Sequence, residues 1–269
     1  MKGKRKIQIE HPEAWELIVT IGDKEVNYIL FAPSVPNSLI IGAVERTDDS
    51  LQSLEDAVYD TPELLNEYKR VRVLVHSQHF VLFPNETGDD DCLELVRQAF
   101  PDDDGDAVVS VSPANRLKIA WLMPRGLQAF LGRTFSYPVV AHHLLPLCEH
   151  FKELVKEDEA SSMFLNLDAG QMDLAIYHGS QLQCVNSYSF SSQEDAVYYA
   201  LGAWRAHGLD QLTDELQLMG DRETCAALTP KLREFVKLVM PAVYPAAAMR
   251  LGRNAMQAPL ELILQALCE

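Results

Sequence analysis

Met163-Phe164-Leu165-Asn166-Leu167-Asp168-Ala169-Gly170-Gln171-Met172-Asp173-Leu174-Ala175-Ile176-Tyr177-His178-Gly179-Ser180, continued by residues 181–190, is the stretch on which the fold turns. Residues 163–167 are apolar enough to form a strand covered on both faces. Asp168-Ala169-Gly170 reads as a tight turn, with Gly170 supplying the backbone freedom. Residues 174–177 form a second strand, and His178-Gly179-Ser180 is a hairpin turn into a third strand over 182–190. Ser191 or Ser192 caps a helix rich in Ala, Tyr and Leu that ends near Gly208. A last strand over 215–219 stops at Gly220. The order is strand, strand, strand, helix, strand.

The same order occurs near the start of the chain. Residues 15–21, 26–31 and 39–44 read as strands around the turn Gly22-Asp23-Lys24 and a Pro-rich loop. A helix begins at Ser50 and is broken or restarted at Pro62, and residues 70–75 give the next strand. Thr20-Ile21-Gly22 falls where Asp168-Ala169-Gly170 falls, so the chain reads as a structural duplication. Between the copies lies a small insertion with strands over 80–84, 108–111 and 117–122 and a short helix over 92–100. A helix from Pro124 to about Phe135, a short strand over 139–141 and an amphipathic helix through Leu144, Leu147, Cys148, Phe151 and Leu154 complete it. The charged stretch 152–159 places a domain boundary there, giving halves 1–159 and 160–269. Beyond Gly220, residues 221–239 read as a helix interrupted near Pro230, and residues 260–267 as a terminal helix.

The chain has 269 residues, 48% of them hydrophobic, which is ample for two buried cores. It contains no run of about 18 apolar residues, and a polar segment follows the basic start, so neither a membrane helix nor a signal peptide is expected. A cytoplasmic protein follows. Cys92, Cys148, Cys184, Cys225 and Cys268 are widely spaced with no Cys-x-x-Cys pair, which argues against a disulfide framework and a structural zinc site. A net charge of −16 disfavours nucleic-acid binding, and the cluster Lys2 to Lys6 reads as a solvated tail.

Other chemistry-bearing residues have plain structural readings. His76 and His79 read as turn or edge histidines, and His143 and His150 as partly buried ones. Asp173 reads as an outward-facing polar residue. The runs Asp89-Asp90-Asp91 and Asp102-Asp103-Asp104 read as a helix start and a solvated turn. The run Tyr198-Tyr199-Ala200-Leu201-Gly202-Ala203-Trp204 reads as helix-to-sheet packing, with an aromatic face for a partner as the functional alternative. His-Glu-x-x-His, Gly-x-Ser-x-Gly and Walker sequences are absent.

A duplicated three-strand meander with an Asp-x-Gly turn after its first strand resembles the actin-like ATPase (ribonuclease H-like) fold. The whole chain more closely resembles an uncharacterised Bacteroidetes family assigned that fold. The resemblance implies an α/β protein with two mixed sheets and an inserted subdomain. It also implies a cleft in which Asp-x-Gly turns hold nucleotide phosphates and Mg²⁺. Asp168 and Gly170 match the second such turn. At the first, Thr20 stands where the acid belongs, followed by Gly22, and a hydroxyl carries no charge to organise a metal. The adenosine-binding element normally has paired glycines. Here only Gly220 is present, and Asp221 would project where the base should slide in. Thr20, Gly22, Asp168, Gly170 and Gly220 are therefore the candidate nucleotide cleft. ATP with Mg²⁺ is the implied ligand, and no catalytic residue is assigned. Because phosphoryl transfer needs every element in place, the expectation is a non-catalytic scaffold or protein-interaction module with a protein partner. A nucleotide-binding protein with weak or no hydrolysis is the alternative.

Overall fold

Apolar strands rich in Ile, Leu and Val seek burial on both faces, and in the computed structural model they obtain it by pairing in two sheets of identical order. The structure describes residues 9–155, 160–168 and 170–268. The basic cluster at 2–6, the end of the charged stretch at 156–159, and Ala169 and Glu269 lie outside them.

In chain order the elements are β1 (Glu16–Ile21), β2 (Glu25–Phe31), β3 (Ile40–Glu45), α1 (Leu51–Tyr59) and β4 (Arg70–Val75). Next come β5 (Phe80–Pro84), α2 (Asp89–Ala99), β6 (Asp106–Ser112), β7 (Leu117–Met123), α3 (Leu127–Thr134), β8 (Val139–His142) and α4 (Leu144–Leu154). The second half supplies β9 (Ser161–Asp168), β10 (Gln171–His178), β11 (Gln181–Ser189), α5 (Gln193–Ala206), β12 (Glu215–Gly220), α6 (Arg222–Leu232), β13 (Leu238–Pro241) and α7 (Leu260–Leu267).

One sheet has the order β3-β2-β1-β4-β8 and the other β11-β10-β9-β12-β13. In each, the meander is antiparallel, and the two strands beyond the first are parallel to it and to each other. The expected βββαβ repeat is present, and each copy is extended by a fifth strand. In the second copy that strand is β13, at a place where the sequence pattern had suggested helix. α6 tolerates Pro230 but ends at Leu232, and Leu238-Val239-Met240 then pairs in parallel with β12. The insertion is a three-stranded sheet, β5-β7-β6, covered by α2 through Cys92 and Val96.

Helix ends follow local chemistry. Ser50 caps α1, and Ser192 forms a reciprocal capping box with Asp195 at α5. The acids Asp89, Asp90 and Asp91 occupy the first turn of α2, as expected. Along α5, Ala196, Ala200 and Trp204 are buried against the second sheet, while Tyr198 faces outward and Tyr199 stacks on Tyr188 at 4.8 Å.

The strands of the second sheet alternate between two cores. Met172, Leu174 and Ile176 join the core beneath α5 and α6, whereas Ala175 and Tyr177 join the core shared with α4 and the first half. The outer face of the first sheet (Ile18, Ile29, Phe31) is covered by the far end of the chain, through Ala248, Ala255, Leu262 and Ile263. Arg72 fixes that return. Its guanidinium pairs with Glu16 at 2.7 Å and donates to the carbonyls of Gln265 and Cys268 at the end of α7, where a cation suits the helix dipole.

Two glycines test this packing with opposite signs. Gly220 has φ +97°, and a Cβ there would sit 2.1 Å from the Leu167 carbonyl. Gly202, inside α5, has open space around it. Gly220→Ala should lower unfolding free energy by more than about 2 kcal/mol, whereas Gly202→Ala should raise it by about 0.5–1 kcal/mol. Urea denaturation of both variants checks the pair.

Candidate functional site

Parallel strands present their carboxyl ends together, and side chains following those ends converge in the crevice beyond them. Here Gly22 follows β1, His76 follows β4, His143 follows β8, and Asp168 ends β9. They line a cleft of about 840 Å³ that also takes in Asp23, Lys24, Glu25, Glu45, Arg46 and Asp49. The insertion contributes Asp103 and Asp104 to the lining.

Of the five residues singled out in the sequence, Thr20, Gly22 and Asp168 line this cleft. Thr20 is buried on β1, opposite Asn27 in the register. The Gly22 N–H closes a tight turn onto the Glu25 carbonyl at 3.0 Å. Gly170 has φ +84° and accepts from the Phe190 N–H at 2.8 Å, so it serves the β9–β10 turn. Gly220 lies against Leu167 and Asn166, and its missing side chain lets β12 run close to β9. Asp221 turns back to cap α6, accepting from the Thr224 N–H at 2.7 Å. Thr20 and Asp168 offer one hydroxyl and one carboxylate, the low end of the one or two carboxylates that Mg²⁺ takes together with substrate phosphates. Among the described residues no group of three or more His, Cys, Asp or Glu side chains is placed to hold a metal ion.

The deepest polar cluster is one the sequence reading did not assemble. Asp173, expected to face outward, is 3% exposed. It does point away from its own sheet's helices, but that face of β10 is covered by α4 and the first half. Its carboxylate accepts from His143 Nε2 at 2.9 Å, Ser187 Oγ at 2.8 Å and Asn166 Nδ2 at 3.2 Å. His76 stacks on His143 with ring centroids 4.0 Å apart, and its Nε2 lies 3.6 Å from Glu261 on α7. His142, His143 and His150 are all buried, and for His143 and His150 this is deeper than the partial burial their spacing suggested. His142 Nε2 lies 3.0 Å from the Ser77 carbonyl. His79 is an exposed turn residue as expected, paired with Asp103 at 2.5 Å.

Burial and charge set the protonation of this cluster. Burial would raise the Asp173 carboxyl, but His143, His76 and the Ser187 donor together hold it well below the usual carboxylate range. Burial pushes His143 down, helped by His76, and these outweigh Asp173. Burial also opposes charge on His76, yet Glu261, Asp173 and Asp168 raise its pKa. His143 is therefore the neutral member, with its proton on Nε2 facing Asp173. Its Nδ1 is buried without a hydrogen-bond partner.

The upper walls are acidic. Seven carboxylates (Asp23, Glu25, Glu45, Asp49, Asp103, Asp104 and Asp168) face three Lys or Arg side chains. Arg46 donates to the carbonyls of Gly22 and Ser50, and Arg125 pairs with Asp104 at 3.3 Å. Gln78 reaches across to Ser189 Oγ at 2.6 Å, joining the loop after β4 to the second sheet.

Two matched five-stranded sheets with a cleft at their carboxyl ends define an actin-like ATPase fold. A Bacteroides thetaiotaomicron protein of that fold and of unknown function superposes with a TM-score of 0.77 at 20% identity, over 96% of this chain and 97% of that one. The PilM–PilN type IV pilus biogenesis complex supplies a second likeness, with a TM-score of 0.56 at 14% identity over 96% of this chain and 100% of that one. The chain belongs to the family described as protein of unknown function DUF3822, which matches residues 4–239. None of the curated proteins matches.

The buried cluster has a signed pH dependence. Asp173 has a depressed native pKa, so its contribution is present above its ordinary value of 3.8 and lost as the pH falls below it. His143 adds to that loss, because protonating it below 6.5 is opposed in the folded state. His76, with a raised pKa, works the other way. Its contribution is present below 6.5 and is lost as the pH rises through the native value. Urea titrations from pH 5 downward should show a steeper loss for the wild type than for Asp173→Asn. His143→Ala, which removes one of three donors to a buried carboxylate, should cost about 2 kcal/mol at pH 7.

Proposed function

We propose that this chain is a cytoplasmic, non-catalytic interaction module that uses an actin-like fold to hold a protein partner. The reading also takes residues 1–159 and 160–269 as two duplicated domains, with the end of the second returned onto the first. The observation that carries it is the lining of the cleft. A nucleoside triphosphate needs its charge offset by basic side chains, backbone N–H groups or a well-held Mg²⁺, and these walls carry an excess of carboxylates, with Arg46 and Arg125 already engaged. Thr20 in place of an acid, and a single glycine at Gly220, point the same way. The PilM likeness supports the reading by analogy, since that protein was solved together with PilN. No helix among the described residues is long and apolar enough to cross a membrane.

A second reading, nucleotide binding without efficient turnover, is favoured by one observation. The cleft is open, and Asp168 lines it together with Thr20 and Gly22. Calorimetric titration with ATP and ADP, with and without Mg²⁺, separates the two. The interaction-module reading expects no binding heat at millimolar nucleotide. Micromolar, Mg²⁺-dependent binding that disappears in Asp168→Ala would overturn it.

A further inference from the structure

We propose that the partner of the interaction module enters this cleft as a basic peptide segment, with a lysine at the floor and further cationic side chains along the walls. The inference rests on the interaction-module reading and names the chemistry of the partner.

Three observations carry it. The first is volume. At about 840 Å³ the cleft lies within the roughly 300–1,000 Å³ of built ligand sites. The second is sign. Seven carboxylates face three Lys or Arg side chains, and a concave wall of one sign focuses its field on a ligand of the other. The acids come from three parts of the fold: the first meander and the segment after it (Asp23, Glu25, Glu45 and Asp49, with Glu25 and Glu45 opposite each other in the β2–β3 register), the loop between α2 and β6 (Asp103 and Asp104), and the end of β9 (Asp168). They are therefore not one run in the sequence, and they meet in the lining of the cleft.

The third observation is independent of the acids. His143 lines the cleft and its side chain is 1% exposed. Its Nε2–H is committed to Asp173, which leaves Nδ1 as a buried acceptor without a partner. An unpaired acceptor in such a site costs free energy that a donor from a ligand would recover. An ammonium brings three donors and no acceptor, so it suits Nδ1 and the carboxylate-rich lining together. A phosphate oxygen has no donor to offer. Charge on His76 does not oppose this, because Glu261 and Asp173 lie on hand to match it.

Hexalysine is the probe. Calorimetry on the full chain at low salt should show one peptide per protein. Asp49→Asn combined with Glu45→Gln should weaken that binding by about fivefold. Asp90→Asn combined with Asp91→Asn, exposed acids in the first turn of α2 and away from the cleft, should leave it unchanged. In ¹⁵N NMR spectra the His143 Nδ1 resonance should move in the direction of an accepted hydrogen bond. Equal weakening by both double variants would mean attraction to net charge alone and would overturn the proposal, as would a still Nδ1 resonance. If neither hexalysine nor nucleotide binds, the basic segment is wrong while the module reading stands. If Mg²⁺-dependent nucleotide binds in place of hexalysine, both fall.

Discussion

Burial of the two central sheets on both faces is the constraint from which the rest of this structure follows. β1 and β9 each run between an antiparallel and a parallel neighbour, and most of their residues are inaccessible. A strand buried on both faces has no outward side on which to place a polar residue. Any charge it carries must find partners inside the protein. That requirement explains why Glu16 meets Arg72 on β4 at 2.7 Å. It also explains why Asp173, one strand away from β9, is ringed by three donors from β8–α4, β9 and β11.

The same constraint concentrates the polar chemistry. Along the strands the interior is apolar, so polar side chains gather where the strands stop. The carboxyl ends of β1, β4, β8 and β9 supply Gly22, His76, His143 and Asp168 to one crevice. The site is thus a by-product of the sheet order, and its character is set by the side chains this sequence places there. With seven carboxylates against three Lys or Arg side chains in its lining, the crevice is acidic in character.

How far the sequence discloses this depends on the range of the interaction. The meanders, the caps at Ser50 and Ser192, and the repeat of element order are local signals, and each is found where the pattern places it. The fifth strand β13 was missed because Leu238-Val239-Met240 is too short to be told from a helix end without its partner β12. The His143–Asp173 contact joins residues 30 apart, and the sequence alone cannot bring them together. The His142-His143 doublet at a strand-to-helix junction was the available hint. Asp173 was misjudged because alternation along β10 shows that it points away from Met172 and Leu174 but not what covers that side. Gly220 was legible as a strand stop and as the one glycine of the adenosine-binding element, but its role as a close-packing residue against Leu167 needed the register of β12 on β9.

The return of the chain end to the first sheet has a consequence for synthesis. Ile18, Ile29 and Phe31 emerge early, yet the residues that cover them (Ala248, Ala255, Leu262 and Ile263) are made more than 200 positions later. The Arg72–Cys268 contact spans 196 positions. Until those residues leave the ribosome, the first half carries an uncovered apolar face. Its meander and the β1–β4 pair must wait, partly dressed, for more than half of the chain to be translated. Covering that face is a long-range step, completed only when α7 packs against the first sheet.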